Sequence, residues 1–128
     1  MGQKAEFSQL ISEATVGNFA TVSGDYNPLH IDAAYAKTTE FGRPVVHGMY
    51  LAALFSRLVG MYLPGRRCLY LSQNLDFVRP VLVGDEVTVV GEVRERHETT
   101  RTLAIRTEIK TAQGGTVVRG KALVRVLA

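Results

Sequence analysis

The stretch HGMYLAALFSRLVGMYL, residues 47–63, decides the fold. It is apolar on nearly every side of a helix, and Ser56 and Arg57 are its polar residues over most of its length. A helix that is hydrophobic all round is buried all round. In a domain this small, only a sheet wrapped around the helix provides that burial. The sequence therefore predicts a buried central helix at about residues 48–62.

The remainder of the chain supplies the strands of such a sheet. Residues 113–115 predict a tight turn, residues 94–101 a polar hairpin tip, and residues 3–9 a weaker further strand. Alternation of apolar and polar residues, typical of half-buried antiparallel strands, runs through four segments, 69–78, 86–93, 102–109 and 116–126. Together these features predict an α+β fold with an antiparallel sheet wrapped around one helix.

Two more helices are predicted ahead of the central one. Residues 12–22 place apolar side chains on one face, with Ser12 as the N-cap and Gly24 as the stop. Asp32 can cap a second helix that runs to about residue 41, before a glycine and a proline break it. The segment between the two helices holds a turn at Asn27-Pro28.

Length and composition indicate one soluble domain, residues 1–128. The single cysteine, Cys68, excludes an internal disulfide and a multi-cysteine zinc site. Lysines and arginines are scattered despite a net charge of +3, which argues against nucleic-acid binding. The apolar stretch at residues 49–63 is too short to span a bilayer and the N-terminus has no signal region, so we expect a cytoplasmic protein without membrane contact. Because an open sheet leaves edges, we also expect a homodimer.

A candidate site lies in SGDYNPLHID, residues 23–32. A turn containing Pro28 can bring the side chains of Asp25 and His30 inward together. A carboxylate beside an imidazole offers two proton-transfer groups that could hold one water molecule. Turn chemistry alone also explains an aspartate and an asparagine here, so both interpretations stay open.

His47 and Gly48 stand where the central helix begins. The first N–H groups of a helix lack internal partners and carry partial positive charge. Since Gly48 has no side chain, a carbonyl oxygen could approach its N–H closely, in an arrangement suited to a thioester turning into an enolate. The alternative is that Gly48 merely allows close packing while His47 caps or packs.

Other chemistries are less well supported by the residues. Ser56 could complete a Ser-His-Asp triad, but no nucleophile-elbow motif surrounds it, and its hydroxyl could instead bond to the Ala52 carbonyl. Asp25, His30 and Asp32 make a thin metal-ligand set, so no metal is predicted. Phosphate-binding glycine motifs are absent, which implies no nucleotide cofactor.

A resemblance adds to this interpretation. The stretch at residues 19–60, with Asp-x-Asn-Pro-x-His followed by a downstream His-Gly, resembles the MaoC-like (R)-specific enoyl-CoA hydratases, in particular the small bacterial enzymes that supply polyhydroxyalkanoate synthesis. The resemblance extends over nearly the whole chain. It implies a hot-dog fold, a dimer, and a segment that overhangs the central helix and carries the catalytic loop.

The resemblance also implies roles for particular residues. Asp25 and His30 match the catalytic pair, the N–H of Gly48 matches the oxyanion donor, and Ser56 matches a serine with a supporting role. We expect Asn27 and His47 to support the site or bind substrate. The implied reaction is the reversible addition of water to a trans-2-enoyl-CoA, giving an (R)-3-hydroxyacyl-CoA without a cofactor. One of the pair would deprotonate water while the other protonates the α carbon, and the sequence does not say which does which.

Three rival functions remain open at this stage. A (3R)-hydroxyacyl-[acyl-carrier-protein] dehydratase would run the same chemistry on another carrier, for which Arg66, Arg67 and Arg79 could form a basic rim. A hot-dog thioesterase needs a carboxylate placed for hydrolysis, which the Asp-His pair argues against. A non-catalytic acyl-CoA-binding protein would not need the full set of site residues.

Overall fold

One antiparallel sheet curls around one long helix in the computed structural model, which describes residues 2–128. The strands and helices, in chain order, are β1 (Lys4–Leu10), α1 (Glu13–Ser23), α2 (Pro28–Ile31), α3 (Ala33–Ala36), α4 (Gly48–Met61), β2 (Cys68–Gln73), β3 (Asp76–Phe77), β4 (Glu86–His97), β5 (Thr102–Thr111) and β6 (Thr116–Val126). The strand order is β1-β4-β5-β6-β2, and β3 also pairs with β6. This arrangement confirms the predicted α+β hot-dog fold.

The core lies between α4 and the concave face of the sheet. The side chains predicted to face inward on β4, Val87, Val89 and Val93, are buried, as are Ile105 and other inward residues of β5 and β6. On the helix, Phe55 and Leu58 are fully buried against them.

Gly91, also on the inward face of β4, lets the helix approach the sheet. An added Cβ there would lie 2.7 Å from a methyl carbon of Leu58, closer than such atoms pack. The period-2 pattern therefore predicted both the strands and the face of the sheet that meets the helix.

The prediction that α4 is buried on all sides is wrong for the single chain. Its residues Leu51, Leu54 and Phe55 are buried, but an outward stripe stays exposed and consists of Met49, Ala53, Ser56, Arg57 and Met61. The reason is geometric, because one curled sheet covers only one side of a helix. None of the helices in residues 2–128 is long and apolar enough to cross a membrane.

Two predicted elements are interrupted or shortened. The strand predicted at 69–78 is divided into β2 and β3, because Asn74 turns to β6, donating its N–H to the Lys121 carbonyl at 3.1 Å and accepting the Lys121 N–H on Oδ1 at 2.8 Å. The helix predicted at 32–41 ends as α3 at Ala36, where the hydroxyls of Thr38 and Thr39 bond to the preceding carbonyls. Such side-chain bonds compete with the helical ladder.

Two further predictions concern the ends of the strands. Residues 94–97, predicted as part of the polar hairpin tip, continue β4 instead, so the tip is confined to residues 98–101. The weaker fifth strand is confirmed as β1, which pairs with β4 from Lys4–Glu92 to Leu10–Glu86.

Candidate active site

The residues predicted to carry chemistry lie on a segment, residues 24–47, that we call the overhang. It begins where Gly24, at φ 78°, ends α1 in the left-handed conformation and donates its N–H to the Ala20 carbonyl. Asn27 then caps α2, accepting the Leu29 N–H on its side-chain oxygen at 3.0 Å. Pro28 follows as the first residue of α2, where its missing N–H costs no bond. Local turn chemistry thus sets the path of the chain between Asp25 and His30.

The far end of the overhang is held by hydrogen bonds to α2 and to Val81, which follows β3. Val45 donates its N–H to the Leu29 carbonyl at 3.0 Å and accepts His30 Nδ1 on its own carbonyl at 2.6 Å. Val46 donates to the Val81 carbonyl at 2.8 Å. Because α4 starts two residues after Val46, these bonds bring α2 against the N-terminus of α4.

The two carboxylate oxygens of Asp25 have separate surroundings. Oδ1 accepts the Asn27 N–H at 3.1 Å, which is the turn contact that the sequence suggested. Oδ2 stands 3.8 Å from Nε2 of His30 and 4.0 Å from Nε2 of His47. The Asp25 side chain is half exposed, whereas His30 is 15% exposed. The turn interpretation and the proton-transfer interpretation therefore each describe one oxygen of the same carboxylate.

The hydrogen bond from His30 to Val45 determines the tautomer of the His30 ring, and so determines that the nitrogen facing Asp25 is the unprotonated one. A carbonyl oxygen only accepts, so Nδ1 carries the hydrogen that bonds to the Val45 carbonyl. In the neutral ring, Nε2 then presents its lone pair toward Asp25 Oδ2. At 3.8 Å the two atoms are too far apart for a direct hydrogen bond and leave room for a bridging water.

His47 lies beneath this pair and is 2% exposed. Its ring stacks on that of His30, with centroids 3.9 Å apart and planes at 25°, and Phe19 makes an edge contact with it at 4.9 Å. Phe19 also contacts Tyr50, with ring centroids 5.7 Å apart. Burial raises the pKa of Tyr50, and the Arg57 guanidinium opposes that shift. These rings form an aromatic wall on the inner side of the site.

Gly48 begins α4, and its N–H makes no hydrogen bond to any of residues 2–128. The ring of Phe77 packs against the glycine, since an added Cβ would stand 2.9 Å from Phe77 Cε1. Position 48 therefore has no space for a side chain. The free N–H lies one residue from the buried His47, so the helix terminus and the Asp-His pair share one location.

Ser56 is placed apart from these groups. It lies eight residues beyond Gly48, which corresponds to ~12 Å along the helix axis, and its side chain is exposed on the outward stripe. Within residues 2–128 its hydroxyl has no hydrogen bond, neither to His30 nor to the Ala52 carbonyl. The nucleophile–base contact of a triad is therefore not formed.

Three side chains at the site could offer ligand atoms to a metal ion. The atoms of Asp25, His30 and His47 all lie within 4.8 Å of one another. However, His47 Nε2 is 3.0 Å from the backbone carbonyl of Asp25, so it bears a hydrogen and is not a free ligand. Asp32, the other acid considered from the sequence, instead caps α3 through the Tyr35 N–H at 3.1 Å.

Comparison with known proteins places this site in a family. The MaoC-like domain model matches residues 1–114. The chain belongs to the MaoC-like family. The MaoC-like relatives include the (R)-specific enoyl-CoA hydratase of Aeromonas caviae, which is 48% identical over 126 residues, or 98% of this chain and 94% of that protein.

Solved MaoC-like structures have the same architecture. The (R)-hydratase from A. caviae involved in PHA biosynthesis superposes with a TM-score of 0.95 at 49% identity, over 98% of this chain and 95% of that one. The unliganded R-hydratase PhaJ1 from Pseudomonas aeruginosa gives 0.96 at 42% identity, over 99% of this chain and 81% of that one.

The structure brings some of the predicted site residues of this MaoC-like chain together and places others elsewhere. Asp25, His30 and Gly48 meet at the start of α4, whereas Asn27 serves as a helix cap and Ser56 lies away. The contact between His47 and the Asp25 backbone was missed. A histidine directly before a helix that starts with glycine was its available signal, but nothing in the spacing indicates which carbonyl such a ring would reach.

Proposed function

We propose that this protein is an (R)-specific enoyl-CoA hydratase, a hydro-lyase that adds water reversibly to trans-2-enoyl-CoA to give (R)-3-hydroxyacyl-CoA. The observation that carries the proposal is the 3.8 Å separation of Asp25 Oδ2 and His30 Nε2 beside the free N-terminus of α4. The near full-length similarity to hydratases of that specificity supports the same reaction.

The water molecule would sit between Asp25 and His30. It would donate one hydrogen to His30 Nε2 and the other to Asp25 Oδ2, leaving an oxygen lone pair for the β carbon of the substrate. The hydrogen bond to the Val45 carbonyl holds His30 in the tautomer that accepts this proton. Asp25 would orient the water and stabilise the imidazolium that forms.

In the proposed reaction, His30 carries the one proton that is transferred. As the water O–H bond breaks and the new C–O bond forms at Cβ, the proton passes to His30 Nε2. The imidazolium then delivers that proton to Cα, so one molecule of water has been added across the double bond. This assignment makes His30 both base and acid, and it gives Asp25 an electrostatic role.

Charge that develops on the thioester oxygen needs a donor nearby. The unpartnered N–H of Gly48, at the positive end of the 14-residue helix α4, would supply it. The Phe77 ring against Gly48 would form one side of the slot that admits the thioester. Proton transfer would then take place at the Cα–Cβ bond while the helix N-terminus stabilises the charge on the neighbouring carbonyl oxygen.

A second copy of the chain is the proposed partner. The outward stripe of α4 leaves Met49 60% exposed, and Phe77 and Val78 beside the helix start are 50% and 43% exposed. A homodimer would cover this apolar surface and a sheet edge together. Light scattering coupled to size exclusion should give twice the 14.0 kDa chain mass, and a mass of one chain would refute the dimer.

The carrier-protein alternative has less structural support than the sequence suggested. Arg66 and Arg67 adjoin the start of β2, which pairs with β6 at Val126, whereas Arg79 follows β3, which pairs at Val118. Positions 118 and 126 of one strand are ~26 Å apart at about 3.3 Å per residue. The three arginines therefore do not form a single basic rim.

A spectrophotometric assay tests the proposal. Purified protein is mixed with enoyl-CoA thioesters of increasing chain length, and loss of the enoyl-thioester absorbance is followed. We expect hydration with (R)-3-hydroxyacyl-CoA as the product in chiral analysis. Release of free thiol would indicate a thioesterase, faster turnover of the carrier-linked substrate would indicate the dehydratase, and no absorbance change would indicate a binding protein.

The cytoplasmic location and the single-domain organisation remain predictions, which cell fractionation and limited proteolysis would check.

A further inference from the structure

We infer that His47 is the positioning residue of this site, a buried ring that holds Asp25 and His30 one water molecule apart. The inference rests on the proposed function and goes beyond it, because it assigns the spacing of the proton-transfer pair to a residue that meets neither the water nor the substrate in the proposed reaction.

The ring of His47 is buried and packed between two other aromatic rings. It is 2% exposed, stacks on His30 at 3.9 Å and receives the edge of Phe19 at 4.9 Å. A ring fixed in this way has one orientation available. Its Nε2 therefore points at a fixed place, which is the backbone carbonyl of Asp25 at 3.0 Å.

The bond to Asp25 determines the tautomer of His47. Since a carbonyl only accepts, Nε2 carries the hydrogen. Nδ1 is buried and has no hydrogen-bond partner among residues 2–128. A hydrogen on Nδ1 would be buried without an acceptor, which is costly, so the surroundings favour the Nε2–H tautomer. His30 has the opposite tautomer, because its Nδ1 bonds to Val45.

This contact is what orients the free oxygen of Asp25. The aspartate makes two further hydrogen bonds, and both are local in sequence: its N–H donates to Ser23 Oγ at 3.1 Å, and its Oδ1 accepts the Asn27 N–H at 3.1 Å. Its Oδ2 makes no hydrogen bond to any of residues 2–128. The bond from His47 ties that turn to the start of α4. Without it, the half-exposed turn could move relative to His30 and widen the 3.8 Å gap.

Two substitutions test separately the two contributions of His47, its N–H donor and its aromatic ring. His47→Gln keeps a side-chain N–H that can reach the Asp25 carbonyl, whereas His47→Phe keeps an aromatic ring against His30 and Phe19 but removes the donor. His97→Gln is the matched control, because His97 is half exposed on β4 and bonds to Glu95, away from the site. Melting temperatures show whether each variant folds.

The expected result is a split between the two variants. His47→Phe should lower kcat about 10–100-fold with KM changed less than about 3-fold, since a small misplacement of reacting groups costs up to about 10² in rate. His47→Gln should stay within about 5-fold of the parent, and His97→Gln should match it. Equal kcat for His47→Phe and the parent would overturn the inference, as would an equal loss in both His47 variants.

A spectroscopic measurement on the unsubstituted protein keeps the inference testable if a variant fails to fold. Long-range ¹H–¹⁵N correlation spectra distinguish the two imidazole tautomers. We expect His47 as Nε2–H and His30 as Nδ1–H, and the Nδ1–H form of His47 would refute the positioning role. Because this readout does not depend on turnover, an inactive protein with the expected tautomers would refute the proposed reaction and leave the bond from His47 to the Asp25 carbonyl in place.

Discussion

The sheet with α4 and the overhang hold their shapes by different means. Strands β4, β5 and β6 are joined by long ladders of backbone hydrogen bonds, each with one register shift, and the core residues on α4, such as Phe55 and Leu58, each pack against many apolar side chains. The overhang at residues 24–47 depends on single polar contacts, such as His30 with Val45 and His47 with Asp25. Substitutions in the core should therefore lower the free energy of unfolding, whereas substitutions in the overhang should mainly lower kcat.

The sharpest test removes the two groups to which we assign proton transfer. Asp25→Asn or His30→Gln should lower kcat by about 10²–10⁴-fold, the usual contribution of general acid–base catalysis. Stability should change by less than about 1 kcal/mol in the Asp25 variant, because Asp25 is half exposed. The His30 variant should lose about 1–3 kcal/mol, because His30 is mostly buried and its bond to the Val45 carbonyl is removed. Hydration assays and urea unfolding check the two parts. Full activity in either variant would remove these residues from the mechanism, and global unfolding would break the contrast with the core.

The reciprocal test is made in the core. Phe55→Ala should lower the free energy of unfolding by about 3–5 kcal/mol, because Phe55 is fully buried and its loss leaves a cavity. Val22→Ala, at an 86% exposed position of α1 outside the outward stripe, should have little effect. Chemical denaturation measures both. If the Phe55 variant were as stable as the Val22 variant, the core would not be the source of stability that we describe.

A third substitution acts where the two regions meet. Gly48→Ala should lower kcat/KM about 10-fold or more, because the new methyl group would stand 2.9 Å from the Phe77 ring and would displace the ring or the helix start. Gly60→Ala, with nothing within 4 Å of the added Cβ, is the control on the same helix. Equal kinetics in the two variants would show that position 48 tolerates a side chain and that the slot is elsewhere.

The smallest effect concerns the pH dependence of the core. Burial, with a smaller contribution from Cys68, raises the pKa of Tyr70 to about 12. An unfolded tyrosine has a pKa of about 10. The unfolded chain therefore loses its proton first, so the Tyr70 contribution is fully present below about pH 10 and is lost as the pH rises to about 12.

Tyr70→Phe isolates this contribution. The hydroxyl also donates to Gln73, so the absolute stability of the variant should differ from that of the parent at every pH. The slope of stability against pH above 10 is the informative quantity, and it should be shallower in the variant. Urea midpoints over the alkaline range measure it, and identical slopes would contradict the assignment.

Much of the fold could be predicted because it is repetitive. A period of two over β4, β5 and β6 determines which side chains, including Val89 and Ile105, face inward. The division of the predicted strand at Asn74 could not be predicted, because its cause is a pair of bonds to Lys121, far along the chain. The exposed stripe on α4 was also missed, since hydropathy records that a residue is apolar but not what covers it.

The site was predictable in its parts and not in its connections. The Asn-Pro turn indicated that Asp25 and His30 could meet, and the start of an apolar helix indicated a free N–H at Gly48. The pairing of His47 with the Asp25 backbone depends on the path of the overhang, which Val45 and its neighbours fix through long-range bonds. Composition and periodicity contain no information about such contacts.

The bond from His47 ends on a main-chain oxygen, which every amino acid at position 25 would possess. The loop can therefore keep its anchor when the carboxylate is exchanged for an amide. An Asp25→Asn protein would then keep the loop conformation of the active enzyme and bind an unsaturated thioester without converting it. Such a variant is the natural starting material for crystals that trap the substrate in place.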